Sequence, residues 1–403
     1  MKAPILSKSG LIVLATSVCS LYLLAFYFNC RIHDILLFRK FAPAGQRVGN
    51  GTKKILFWNT MFGDELFFFG RGDIFNDCPV KDCYATHDRG YADVEEFDAI
   101  LFHGNELLER DLPSKRSSRQ WYVFVNLESP VNRPYPGHIY EDYFNLTMTY
   151  RLNSDLAWTY GRIKDSSTDR VVAPLPNTSW NALYNYSGDG AGEDRTDEPL
   201  WRTIRGKTEP VIWFVSNCRA GSGRHAYVNE LSKHISVDVY GKCGSHRCPR
   251  SEDCFTEIAE PRYFFYLSFE NSLCEDYVTE KLYNALSYDV VPVVYGGANY
   301  SNFAPPRSYI DTLNFDTPEL LAEHLNWLMK HPHEYSKYFE WKKHYRIDKS
   351  SRPTACKLCE FLHEKREPRT RNALSEWYNR WDNCPLHELL GQHAYVTGDM
   401  LKN

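Results

Sequence analysis

Short apolar and aromatic runs recur along the chain, each closed by polar or turn-forming residues. Lys54–Trp58, Ala99–Phe102 and Trp121–Val125 form a first series. Val211–Val215, Val237–Tyr240, Tyr263–Phe269 and Val290–Tyr295 form a second. Runs of this length, rich in β-branched and aromatic side chains, predict buried strands. Val278–Leu286 instead spaces its apolar residues as a helix does and starts with Thr279 and Glu280. Tyr263–Gly297 therefore reads as strand, polar loop, helix, strand: one β-α-β unit. Such units bind ligands beyond the carboxyl ends of their strands, where this one carries Glu270, Asn271 and Ser272. Lys281 falls in the first helical turn, where a cation opposes the helix dipole. A phosphate between the two would reverse that conflict.

The two series are separated by a stretch between Asp165 and Pro210 rich in Ser, Thr, Gly, Asp and Asn. It reads as a surface excursion at a domain boundary. Two strand-helix alternations predict an α/β protein of two Rossmann-like domains facing across a cleft, 53–205 and 206–345. Beyond about 345 the chain becomes charged, then regains aromatics at Trp377, Tyr378 and Trp381.

Composition narrows the class. With 403 residues, 43 % hydrophobic and 24 % charged, the chain is globular and long enough for two domains. A formal charge of −4 leaves no basic surplus for nucleic acid. Leu11–Phe28 is uncharged over 18 residues, near the minimum for a membrane span. A cleavable signal peptide is the alternative, but no small-residue cleavage pattern follows. The reading is a cytoplasmic tail at 1–10, a transmembrane signal anchor at 11–28 and a stem at 29–52 marked by Pro43, Gly45, Gly49 and Gly51. Sequons at Asn50, Asn145, Asn177, Asn185 and Asn299 favour a lumenal body, so the predicted topology is single-pass type II. Ten cysteines besides Cys19 and Cys30 suit disulfides in a secretory compartment. Cys356 and Cys359 form a CxxC that could be half a zinc site or a redox pair. No second CxxC accompanies it, which favours structural disulfides.

Two further segments carry candidate chemistry. In Val211–Arg224, VIWFVSNCRAGSGR, a strand breaks into a small, polar loop. Ser216, Asn217, Gly221 and Gly223 let backbone amides approach a phosphate, and Arg224 offers a fork for two of its oxygens. In Trp121–Pro130, WYVFVNLESP, a strand delivers Glu128 to its carboxyl end, where a carboxylate is placed for base catalysis. The chain has no Asp-x-Asp triplet, a common manganese ligand of sugar-nucleotide enzymes. Without a metal, side-chain cations and helix amino termini must neutralise a leaving diphosphate.

The words FENS, DYVTEK and PVVYGG, in this order and spacing, resemble the signature of the α1,3/4-fucosyltransferases, glycosyltransferase family 10. The resemblance implies the GT-B arrangement, GDP-fucose as donor, no essential metal or other cofactor, a glycan acceptor on glycoproteins and a Golgi location. It makes Glu128, in NLESP, the catalytic base. Donor contacts are implied for Tyr160, Ser216, Asn217, Arg224, Tyr266, Asn271, Tyr277, Glu280 and Lys281, with Glu280 reaching the ribose. Val131, Asn132 and Arg133 replace a His-containing stretch of several relatives. The family's carboxyl-terminal CxxC is bonded to two cysteines of the first domain, which implies Cys78 and Cys83 as partners of Cys356 and Cys359. The segment 346–403 is then expected to return to the first domain. The three cysteines of Tyr240–Cys254 look more like enzymes acting on the N-glycan core than like Lewis-type enzymes acting on terminal N-acetyllactosamine. An inactive lumenal glycan-binding protein is the alternative of another class. The full set of charged residues speaks against it, since a lectin needs no diphosphate cations.

Overall fold

The structure is a computed structural model that describes residues 51–180, 199–249, 252–364, 366–370 and 373–402. The expected tail, the span at 11–28, nearly all of the stem, Asn50 and Asn185 lie outside them. Among the described residues no helix is long and apolar enough to cross a membrane. Residues from Lys53 onward form one compact unit.

Thirteen strands are described: β1 Lys53–Phe57, β2 Cys83–Thr86, β3 Ala99–His103, β4 Trp121–Asn126, β5 Leu146–Thr149, β6 Arg162–Asp165, β7 Val171–Ala173, β8 Glu209–Phe214, β9 Val237–Tyr240, β10 Tyr263–Phe269, β11 Val291–Tyr295, β12 Ile310–Asp311 and β13 Tyr345–Asp348. Among the helices, α1 is Arg224–Leu231, α2 Glu280–Leu286, α3 Pro318–Lys330, α4 Arg352–His363 and α5 Leu374–Asn379. The first sheet has the order β2-β1-β3-β4-β5 and the second β9-β8-β10-β11-β12. All pairings within both are parallel. The two orders are the same pattern, with the first two strands exchanged in each. Two Rossmann-like sheets are thus present, as the hydrophobic runs predict.

The first sheet differs from expectation in what covers it. Its own crossovers hold only short turns, yet parallel strands must be buried on both faces. In β3, Ala99 and Leu101 face one side with Ile55, Phe57, Val123 and Val125, and Ala355, Leu358 and Leu362 of α4 close that side. Ile100 and Phe102 face the other with Leu56, Tyr122 and Phe124, and Leu374 and Tyr378 of α5 close it. Each large side chain buried this way stabilises by about 1.5–3 kcal/mol. The carboxyl-terminal helices therefore complete a domain whose strands lie some 250 residues upstream.

Disulfides Cys78–Cys356 and Cys83–Cys359 fasten α4 to this sheet. Cys218–Cys243, Cys248–Cys254 and Cys274–Cys384 are the other pairs among the described residues. Replacing Cys78, Cys83, Cys356 and Cys359 together by Ser is expected to cost about 2–5 kcal/mol, because the two bridges close nearly the same very long loop and only their joint loss opens it. Calorimetric unfolding would show a lower Tm; an unchanged Tm would deny the bridges that role.

Two boundaries shift from the sequence reading. β6 and β7 join β13 in a separate antiparallel sheet. Ile163 and Ala173 pack with Leu282 and Tyr283 of α2, so the chain crosses to the second domain near Tyr160 rather than near 205. The carboxyl-terminal segment also divides. Its strand β13 stays with β6, and the part from Arg352 to Asn379 packs on the first sheet. Residues from Leu386 onward instead pack on the second, with Val396 in its core and Tyr395 against Tyr227.

The sequons separate by burial. Asn177 and Asn299 are exposed. Asn145 is buried, and its side chain accepts from Tyr122 N and Arg116 Nη2 and donates to the Arg369 carbonyl. That amide is an internal strut beside β5, and a glycan on its nitrogen would have to displace the bond to Arg369.

Candidate active site

In the second sheet β9 lies outside β8 while β11 lies outside β10, so successive connections leave in opposite directions. The switch point between the carboxyl ends of β8 and β10 is where such sheets form their ligand crevice. The loops that follow those strands, Val215–Gly223 and Glu270–Thr279, together with the first turns of α1 and α2, hold seven of the nine predicted donor residues.

The β8 loop presents Ser216 and Asn217 to solvent. It ends at Gly223, in the left-handed region at φ 71°, which caps α1. A Cβ there would lie 2.5 Å from the Ala394 carbonyl, so only glycine fits. Gly221, by contrast, has open space around it and no such conformation, and the structure gives it no special duty. Arg224 is buried; it donates to the carbonyls of Phe269 at 2.9 Å and Asn217 at 2.8 Å. It thus staples the β8 loop to the end of β10. Its Nε is buried with no partner among the described residues. Burial lowers the guanidinium pKa, though an arginine stays charged regardless.

The β10 loop is held by Glu270. This carboxylate is 1 % exposed and accepts from Thr279 N at 2.8 Å, Thr279 Oγ1 at 2.9 Å and Lys281 Nζ at 3.1 Å. Burial pushes its pKa up. Lys281 also donates to Thr279 Oγ1 at 2.6 Å and lies 3.4 Å from Glu280 Oε1. Burial acts to lower the Lys281 pKa, but Glu270 and Glu280 together outweigh it and raise the value. The cation expected to oppose the dipole of α2 is thus compensated by two carboxylates. Asn271 is half-buried, and its Oδ1 has no partner among the described residues. Tyr266 is buried in β10 with its ring against Phe214 and Phe255.

Glu128 reaches this crevice from the first sheet. Its Oε2 accepts from Tyr277 OH and from Asn132 Nδ2, both at 3.2 Å. Burial, then the nearby Tyr160 and Glu128, keep the Tyr277 phenol protonated, so it is the donor. The loop is gripped from three sides, twice through its backbone. Tyr160 OH donates to the Leu127 carbonyl at 2.7 Å, Tyr378 OH donates to the Glu128 carbonyl, and the buried Ser129 Oγ donates to Ser272 Oγ at 2.7 Å. Gly161, beside Tyr160, allows a close approach, since a Cβ there would sit 2.4 Å from the Tyr283 ring. A half-exposed carboxylate from one sheet is thereby held at the phosphate-suited edge of the other.

The sequence matches "Fucosyltransferase, N-terminal" over residues 50–161 and "Glycosyltransferase family 10 (fucosyltransferase) C-term" over 204–377. A Drosophila melanogaster relative, alpha-(1,3)-fucosyltransferase C, is 39 % identical over 79 % of this chain and 75 % of its own length. The chain belongs to glycosyltransferase family 10, the fucosyltransferases. Glycoprotein 3-alpha-L-fucosyltransferase A of the same fly is 34 % identical over 80 % of this chain, which spans 58 % of that protein. The human 3-galactosyl-N-acetylglucosaminide 4-alpha-L-fucosyltransferase FUT3 is 34 % identical over 74 % of this chain and 76 % of its own length.

Residues outside the expected site set join this fucosyltransferase site. Glu270 and Ser272 stood in the FENS word, where their polarity was the available signal. Tyr378 had none: an aromatic residue 250 positions from Glu128 carries no local mark of its partner.

Proposed function

We propose that this chain transfers L-fucose from GDP-fucose, with inversion and without a metal, to the 3-hydroxyl of a GlcNAc residue in a glycoprotein glycan. The N-glycan core is the favoured acceptor, and the setting is a GT-B enzyme whose lumenal body is anchored in the Golgi membrane by residues 11–28. The observation that carries the reading is the hydrogen bond from Tyr277 to Glu128, which joins the candidate base to the donor loop. In the proposed reaction Glu128 takes the proton from the acceptor hydroxyl as that oxygen attacks fucose C1 opposite GDP. Lys281 and Arg224 stabilise the charge that gathers on the diphosphate, a task metals perform elsewhere. Glu280, Asn271 and Tyr277 orient nucleotide and sugar. The acceptor reading rests on the cysteine-rich stretch Tyr240–Cys254, braced by Cys218–Cys243 and Cys248–Cys254. It is supported by the fly relative named for glycoprotein transfer. Lewis-type transfer to N-acetyllactosamine is the second reading, supported by the human relative at equal identity.

The test is direct. Detergent-solubilised full-length chain is incubated with GDP-fucose and either a core N-glycan glycopeptide or N-acetyllactosamine, and products are read by mass spectrometry. Fucose on the innermost GlcNAc supports the first reading, fucose on the lactosamine alone the second, and no transfer to either opposes both. Transfer should also persist in excess chelator. Strict dependence on a divalent ion would contradict neutralisation by Lys281 and Arg224.

A further inference from the structure

The three N–H donors of Lys281 all point to groups of its own chain: Thr279 Oγ1, Glu270 Oε2 and Glu280 Oε1. A phosphate oxygen therefore has to displace one of them, and the three are not equivalent. Glu270 is almost wholly buried and receives hydrogen bonds from Thr279 backbone N and from the one Thr279 hydroxyl hydrogen, which lies within reach of both carboxylate oxygens, besides that of Lys281. Its own backbone is fixed on both sides, N–H donating to the Tyr295 carbonyl and carbonyl accepting from Ser222 Oγ. Glu280 is 54 % exposed in its side chain and stands at the longest distance, 3.4 Å.

We infer that Glu270 is a positioning residue for Lys281: with Thr279 it holds the ammonium in place permanently, while Glu280 is the partner that yields to a phosphate of the donor. The inference rests on the donor reading above. Its physical basis is twofold. A lysine side chain is long and flexible, and fixing it before the ligand arrives removes an ordering cost from the reaction. A desolvated ammonium without a counter-charge also loses its proton readily. Glu270 answers both needs, and its burial keeps it from being drawn off to solvent or ligand. Glu280, released to the ribose, leaves one N–H of Lys281 aimed at the diphosphate.

The pH dependence of GDP binding distinguishes this role from simple loop support. The charged groups facing Lys281 are Glu270 at the end of β10, Glu280 on α2 and Arg224 on α1. Tyr160, Tyr266 and Tyr277 stand around the same carboxylates, and burial holds each protonated. Glu270→Gln keeps an acceptor for Thr279 N but removes the charge. Calorimetric titration of the full-length chain with GDP, across neutral to alkaline pH, is the measurement. Guanine loses its own N1 proton in the alkaline range, so affinity is read against Lys281→Arg, and the part of the fall due to Lys281 is expected only at strongly alkaline pH in the wild type. In Glu270→Gln that fall should begin at least about one pH unit lower, and fucose transfer should drop on the order of 10- to 100-fold, as for other orienting partners. Lys281→Arg should abolish that part of the fall in either background and leave the part due to guanine. An unmoved fall, or a loss of affinity equal at every pH, would overturn the inference. Should Glu270→Gln not fold, Glu270→Asp is read instead: a carboxylate withdrawn from Nζ must move the fall downward by a smaller step, and no movement overturns the idea. A wild-type chain that binds no GDP would overturn the donor reading itself. Normal wild-type binding with an unmoved fall would overturn the positioning role alone.

Discussion

Glu128→Gln is expected to lower turnover by about 10²–10⁴-fold, the range general bases contribute, while GDP binding stays unchanged. The geometry makes this substitution informative. Both hydrogen bonds to the Glu128 side chain, from Tyr277 and Asn132, converge on Oε2. An amide oxygen can occupy that position and accept both, so the variant loses basicity and little else. The loop is held independently through its backbone by Tyr160 and Tyr378. Single-turnover rates with saturating GDP-fucose isolate the chemical step, and calorimetry with GDP reports the donor site. Turnover near the wild-type value would remove Glu128 from the base role and leave the crevice in need of another proton acceptor.

Lys281→Met should lower kcat/KM by about 10²–10³-fold, comparable to removing one charge-stabilising donor elsewhere. It should also change how stability depends on pH. The wild-type pair is nearly buried, and removing one partner of such a pair costs about 3–5 kcal/mol because a charge is left unpaired. Here the orphan is Glu270, whose pKa burial already raises. A carboxyl with its folded pKa above the unfolded value binds more protons when folded, so folding weakens as pH rises. The folded variant is thus least penalised below the unfolded carboxyl pKa of about 4.3, and it loses stability as pH climbs through the raised folded value. The Tm gap between wild type and Lys281→Met should be wide at neutral pH and narrow toward acid. A gap independent of pH would mean that Glu270 is not the group left unpaired.

The edge that carries the donor loops was legible in the sequence because it is local. Tyr263–Phe269, the polar loop and the helix beginning at Glu280 succeed one another without interruption, so strand pattern and charged residues appear together in one window. The same holds for Glu128, which follows its strand by two residues. Asn145 shows the limit of such reading. Its sequon is intact, yet the side chain is spent inside the fold, and a tripeptide cannot register what packs against it. Gly221 and Gly223 look alike in sequence, but only Gly223 meets a backbone that excludes every other residue. Glu280 and Glu270 likewise differ by nothing chemical. Burial alone makes one a fixed support and leaves the other half-exposed.

By itself the sequence determined seven of the thirteen described strands, the α/β class and the membership of the fucosyltransferase family. Those depend on alternation, run length and short words, all of which are properties of neighbouring residues. Only the tertiary structure decided that α4 and α5, from the end of the chain, supply both covers of the first sheet. It also decided that Tyr378 holds the backbone of Glu128 and that Glu270 anchors Lys281. Parallel strands need burial on both faces, but nothing in their own sequence says which helix will provide it. A hydrogen bond spanning 250 residues is set by the closure of the whole chain.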